Sequence, residues 1–292
     1  MIKYFSILTF TLVLLTLQHG LVAQESTAVQ TFKDTRVINT QSVETLKKRH
    51  VDFRVGHRFG DLAGSNGGWS TFYGLENSTD VSIGFDFGLT DNTMLGLHRM
   101  KGSNVLRQLV NLSIKQKLMT QDAEGSKPFG LAVFGLASIS TMPSSPNPGV
   151  LSHFDVFAHR MSYHIQVILS KKIGDRFSLQ IHPAWTYRNL VPDFDTNDIV
   201  SIGYAAKAQL NRNIAVIVEG NLPFSELRTK ENGYYSGFSL GIEWDTGGGH
   251  IFQVNLTNAT GMTETDYIPY TQEDWSQGQF RLGFTIGRQF KV

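Results

Sequence analysis

The chain has no cysteine among its 292 residues, which excludes disulfides, thiolate metal sites and thiol nucleophiles. It has almost no net charge, +1, so it lacks the concentrated basic excess of a nucleic-acid-binding protein. Beyond Leu17 no apolar run is long enough for a membrane-spanning helix. The glycine clusters "NGG" and "TGGG" are not followed by Lys-Ser/Thr and a helix, so they are not phosphate-binding loops. What the chain does have is glycine (28 residues), aromatics (11%) and a persistent alternation of apolar and polar side chains.

Lys3, the apolar stretch Phe5–Leu17 and the small Ala23 read as a secretory signal too short to span a bilayer. Residues 1–23 are therefore expected to be cleaved and residues 24–49 to form a periplasmic lead-in. In that lead-in "SVETLKKR" offers one or two helical turns with Ser42 as N-cap. From His50 onward the period is two. In "DVSIGFDFGL", Val81, Ile83, Phe85, Phe87 and Leu89 oppose Ser82, Gly84, Asp86 and Gly88. In the last segment Phe280, Leu282, Phe284, Ile286 and Phe290 oppose Arg281, Gly283, Thr285, Gly287 and Gln289.

About twelve such segments are expected, starting near His50, Asp80, Thr93, Val105, Phe129, Val156, Phe177, Ile199, Ile214, Tyr234, Ile251 and Gly278. Many exceed the ~9–11 residues that a tilted strand needs to cross a bilayer. Short turns such as "LTDN", "LNRN" and "DTGGG" alternate with longer loops, as in bacterial outer-membrane barrels. The expected fold is all-β: residues 50–292 as a single transmembrane antiparallel barrel with long extracellular loops and short periplasmic turns, located in the outer membrane.

Two blocks carry a family resemblance: "HRFGDLAGSNGGWSTFYGLENSTDVSIGFDFGLTDNTMLGLHRMKG" (His57–Gly102) and "TGGGHIFQVNLTNATGMTETDYI" (Thr246–Ile268), together with the terminal "RLGFTIGRQF". They resemble the landmarks of a Bacteroidota β-barrel family, domain of unknown function 5777. The likeness runs from about Leu46 to Phe290. It implies an outer-membrane barrel and brings no activity and no functional residues with it.

Alternation also assigns side chains to a lumen. Arg54, Arg58, Arg107, Lys115, Lys117, Arg160, His164, His182, Arg188, Lys207 and Arg281 are expected to face inward, with Asp52, Asp86, Glu219, Glu243 and Asp245. His-Arg pairs recur at 57–58, 98–99 and 159–160, but their members point to opposite faces and the second pair has flipped parity, so they are not copies of one site. No two inward histidines share the i, i+2 spacing that would converge on a metal, and no metal or cofactor is expected. Ser162 and His164 share a face, but that face is inward and offers no third orienting residue, so an enzyme is not expected.

The basic excess of the lumen suggests a small anionic solute and a small pore or transport-related channel. The alternative is a filled lumen of mutually neutralising charges, in a structural or binding barrel that serves a partner protein or an extracellular ligand. Trp69, Phe72 and Tyr73, and in the last loop Tyr267, Tyr270 and Trp275, are candidates for contacts at the mouth. The remaining expected partners are outer-membrane lipid and the periplasmic and outer-membrane barrel-assembly machinery. Nucleic acid is not expected.

Overall fold

The structure, a computed structural model, describes residues 28–292 except Ser103; the expected signal segment lies outside the described residues. The alternating segments form twelve strands: β1 (His50–Asp61), β2 (Ser78–Gly88), β3 (Thr93–Lys101), β4 (Gln108–Met119), β5 (Gly130–Ser140) and β6 (Met161–Ile173) in the first half. The second half holds β7 (Phe177–Arg188), β8 (Asp198–Gln209), β9 (Ile214–Phe224), β10 (Gly237–Asp245), β11 (His250–Thr257) and β12 (Arg281–Lys291). Each strand pairs antiparallel with the next, and β1 pairs with β12, so the sheet closes into a barrel with no free edge.

Closure decides what each face meets. Ile83, Phe85 and Phe87 on β2 stand beside Leu95 and Leu97 on β3, all exposed on the outside, while Asp86 and His98 on the same strands are buried inside. An apolar exterior around a polar interior is the arrangement that a bilayer stabilises. The connections 89–92, 174–176, 210–213 and 246–249 are short and lie at one end, whereas 62–77, 141–160, 225–236 and 258–280 are long and lie at the other.

Of the strands that start later than their alternation suggests, two leave an arginine outside the lumen. β4 begins at Gln108, so Arg107 is exposed in the connection 102–107 and does not line the lumen. β6 begins at Met161 after a 3-10 turn, Phe157–Arg160, and Arg160 lies on the rim, donating to the carbonyls of Ser140 (3.1 Å) and Met142 (2.5 Å). A strand pattern that runs into one tight turn keeps its polar-apolar alternation for a few residues, which is why both arginines read as inward.

The lead-in is the larger departure. Its described part, residues 28–49, contains no helical turn and does not hang outside the barrel. It enters the lumen, where Phe32, Asp34, Val37, Asn39, Ser42 and Val43 are buried.

Inward glycines make room for ring side chains. His182 on β7 faces Gly203 on β8, and His98 on β3 faces Gly84 on β2. A Cβ added at Gly203 would fall on the His182 imidazole, and one at Gly84 would lie 2.5 Å from the His98 ring. Substituting Gly203→Ala therefore forces the ring or the strand to move. It should lower stability by about 1–3 kcal/mol, as overpacking does. The check is the urea midpoint of unfolding in lipid, and an unchanged midpoint would contradict the close packing.

Candidate functional site

The lumen holds two insertions, and most of the charged side chains picked out by alternation meet one or the other. The first is a hairpin made by residues 29–46. The Val37 N–H donates to the Thr40 carbonyl and the Ser42 N–H to the Thr35 carbonyl, both at 2.9 Å, and Arg36 bridges Gln41. This tight turn aims three successive N–H groups outward at its tip. Ile38 (3.1 Å), Asn39 (2.9 Å) and Thr40 (3.0 Å) all donate to the carboxylate of Glu219 on β9. Charge-assisted bonds of this kind are about twice as strong as neutral ones.

The hairpin's carbonyls are met by a cation. Lys115 on β4 is fully buried and donates from Nζ to the carbonyls of Thr35 (2.7 Å), Ser42 (3.0 Å) and Glu44 (2.9 Å). An isolated buried ammonium would cost several kcal/mol, and three aligned carbonyl dipoles offset that cost. Two further wall cations meet hairpin carboxylates. Arg54 donates to both oxygens of Asp34, at 2.8 and 2.5 Å, and to Asp52 at 2.6 Å. Lys117 pairs with Glu44 at 2.9 Å.

Apolar contacts complete the seat. Phe32, Val37 and Ile38 pack with Ala205 and Ile217 of the wall, and Val43 packs with Ala132, Phe134, Leu136 and Ile168. Lys207 lies 5.9 Å above the Phe32 ring, and Gln253 donates to Glu243 at 3.1 Å.

The second insertion comes from the last long loop, which folds inward. Its short helix α1 (Glu264–Tyr270) is buried along most of its length, and Tyr267 and Ile268 pack against Ile199 and Ala259. Arg58 donates to the carbonyls of Ala259 (3.2 Å) and Gly261. Asn111 donates to Thr263 at 3.0 Å, and Ser138 and Thr265 share a bond of 2.8 Å. Arg188 donates to the Tyr270 hydroxyl at 3.1 Å and to Asp195 at 2.9 Å. Arg281 bonds Asp80 at 3.3 Å and Glu273 at 2.9 Å.

Two gaps between hairpin, helix and wall are small. One of about 10 Å³ lies among Asn39, Thr40, His182, Glu219 and Tyr267, and another of about 20 Å³ among Arg36, Ile38, His98 and Met262. Each has room for about one water molecule.

The histidines have separate partners. His98 meets Asp86 at 3.1 Å. His164 meets Thr186 at 2.8 Å and Gln166 at 3.0 Å, so both its nitrogens are engaged away from Ser162. His182 meets Thr40 at 3.0 Å. Among the described residues no group of three or more His, Asp or Glu side chains is placed to hold a metal. A Ser–His pair that sequence reading did not select, Ser78 and His57, forms a 2.8 Å bond on the outside. The His57 Nδ1 has no partner, so no acid orients that ring.

The loop aromatics separate in the same way. Trp69, Phe72 and Tyr73 are exposed on the loop 62–77. Tyr267 is in the lumen and Tyr270 lies against Arg188, so neither belongs to an outward platform at the mouth. Trp275 stacks on Phe280 at 4.5 Å and donates to the Phe238 carbonyl at 3.1 Å.

With this geometry in hand, residues 32–290 match the family described as membrane bound beta barrel domain, domain of unknown function 5777. The chain belongs to that family. The match starts at Phe32, so it takes in the lumen hairpin as well as the strands. No curated protein matches the chain.

Among solved structures it is similar to the NanC porin, with 10% identity, a TM-score of 0.49 and coverage of 83% of this chain and 100% of that one. It is also similar to the KdgM porin in complex with disordered oligogalacturonate, with 6% identity, TM-score 0.48 and coverage of 83% and 99%. A third similar structure is the outer membrane phospholipase A of Escherichia coli, with 13% identity, TM-score 0.43 and coverage of 82% and 92%. At these values the likenesses say nothing about activity.

Two outcomes follow from the seated insertions. Glu219→Ala leaves three hairpin N–H groups without their acceptor and should cost about 2–5 kcal/mol. Amide exchange at Ile38–Thr40 should quicken by about tenfold or more while the strand amides stay protected; unchanged exchange would contradict the seat.

The second outcome concerns Asp266 on α1. Burial, reinforced by the Asp80 carboxylate and opposed by Asn104 and Arg58, pushes its carboxyl up to about 8. A raised carboxyl keeps its proton only while docked, so docking is strongest below the ordinary carboxylate range. It weakens as pH rises and reaches its weakest above pH 8. The protection of the residue 264–270 amides, taken relative to their intrinsic exchange rates, should therefore fall from about pH 4 to about pH 8 in the wild type and level off above it. In Asp266→Asn that loss should shrink to the part contributed by the buried Glu264; an undiminished loss would remove Asp266 as a cause.

Proposed function

We propose that this chain is an outer-membrane pore whose resting state is closed by its own N-terminal hairpin. The observation that carries this reading is the way the hairpin completes the charge balance of the wall. Its Asp34 and Glu44 neutralise Arg54 and Lys117, and its backbone satisfies Lys115 and Glu219. A segment that enters from the short-turn end and is held largely by polar contacts can leave as one unit and uncover a charged passage. Removing it takes Asp34 and Glu44 away together with Lys33 and Arg36, and leaves a wall on which Arg54, Arg58, Lys115, Lys117, Arg188, Lys207 and Arg281 outnumber Asp52, Asp80, Asp86, Glu219, Glu243 and Asp245 by one. The passage uncovered would then favour anions, as rings of basic side chains do.

A second reading has its own support. The apolar seats of Phe32 and Val43 anchor the hairpin as a core anchors a strand, which suits a permanently filled barrel that serves a partner protein or an extracellular ligand.

Planar-bilayer recording separates the two. The intact protein should be almost silent, and a variant lacking residues 28–46, with residues 262–270 also removed so that α1 no longer fills the upper lumen, should conduct steadily with a preference for chloride over potassium. Replacing Lys115 and Arg54 with glutamine in that variant should reduce the preference. A folded deletion variant that stays silent would rule out the closed-pore reading in favour of the filled barrel.

A further inference from the structure

The two ends of the barrel differ in charge, and the difference is not absorbed by the lumen. At the long-loop end the exposed charges include Glu76, Asp155, Asp193, Glu226 and Glu231. At the short-turn end exposed cations gather, and those reaching the outer surface stand among lipid-facing side chains. Arg288 on β12 is exposed on the outer face between Ile286 and Phe290, and its register partners are Phe53 on β1 and His250 on β11. Lys171 on β6 is outward opposite Leu179, with the exposed Ile173 and Phe177 beyond it toward the turn. Arg176 and Arg212 are exposed in the adjacent short turns.

The densest group sits where the barrel closes. The Val292 N–H donates to the Arg49 carbonyl at 2.9 Å, bringing the ends of β1 and β12 together. Arg49 is exposed there, and Arg288 donates to the His250 Nε2 at 2.9 Å. Among the described residues Arg49, Lys171, Arg176, Arg212 and Arg288 have no carboxylate partner within ion-pair distance. A cation held beside apolar, lipid-facing residues is expensive unless an anion reaches it at the interface. An anionic leaflet supplies that anion at the headgroup level.

From this placement we infer that the short-turn rim, centred on Arg49, His250 and Arg288 at the seam, binds the phosphodiester headgroups of anionic phospholipids in the adjoining leaflet. The Arg288 guanidinium is the principal ligand, because its planar fork pairs with two phosphate oxygens at once. His250 holds that fork against the wall, and Arg49 approaches from the strand end. An acidic protein or polymer would have to reach Arg288 and Lys171 through the apolar residues that flank them, whereas a phospholipid already lies there.

The test uses the full chain in nanodiscs of phosphatidylcholine containing a minority of phosphatidylglycerol. The lipids retained after transfer to detergent are counted by native mass spectrometry. The wild type should retain phosphatidylglycerol well above its bulk share. Arg288→Gln and Arg49→Gln should each cut the enrichment by roughly fivefold, the weight of one basic group beside an anionic surface. Lys101→Gln, at the long-loop end of β3, should leave it unchanged and shows that the barrel tolerates loss of an exposed cation. Retention at the bulk ratio, enrichment that survives the double variant, or enrichment abolished by inorganic phosphate at matched concentration would each overturn the inference. The last result would assign the site to free phosphate.

Discussion

The constraint on which this structure depends is that a barrel whose lumen is filled by its own chain must meet the charges it turns inward with protein partners rather than bulk water. Lys115, Arg54 and Glu219 are buried charges on three different strands, and each is completed by the hairpin, Arg54 in addition to the Asp52 carboxylate of its own strand. The hairpin of residues 29–46 answers all three at once. It offers carbonyls to the ammonium, a carboxylate to the guanidinium and a turn of N–H groups to the Glu219 carboxylate. Hairpin and wall are thus each unfinished without the other.

The same constraint explains why the long loop 258–280 turns inward. Arg58, Asp80, Arg188 and Arg281 stand in the upper part of the lumen, beyond the reach of the hairpin. The loop brings backbone carbonyls, the Tyr270 hydroxyl and the Glu273 carboxylate to them. Burial raises the carboxyls of both Asp266 and Glu264 on α1 in this layer, so the upper insertion is expected to loosen as pH rises.

Much of the fold was legible in the sequence, because a barrel wall is written in the simplest code a chain has. Ile83, Phe85 and Phe87 could only face lipid if Asp86 faced inward, and closure follows once every strand repeats that choice. All strand starts but one fall within three residues of where the alternation places them, and the exception is β6, which follows the 3-10 turn Phe157–Arg160. The lumen's contents were not legible. Residues 29–46 mix apolar and polar side chains with no period, which reads as a linker, because their partners come from strands far along the chain. Tyr267 looked like a mouth aromatic for the same reason: its loop is long enough to fold either outward or in, and only the unmet arginines of the wall decide.

The most direct test of a seated hairpin uses the absence of cysteine in the chain. The Thr31 and Ser170 hydroxyls share a bond of 3.3 Å between hairpin and wall, with both oxygens where cysteine sulfurs would stand. In the double variant Thr31→Cys, Ser170→Cys, mild oxidation of the membrane-embedded protein should form an intramolecular disulfide and protect both thiols from a bulky maleimide. Two thiols that remain free and react readily in the folded barrel would contradict a lumen closed by this segment.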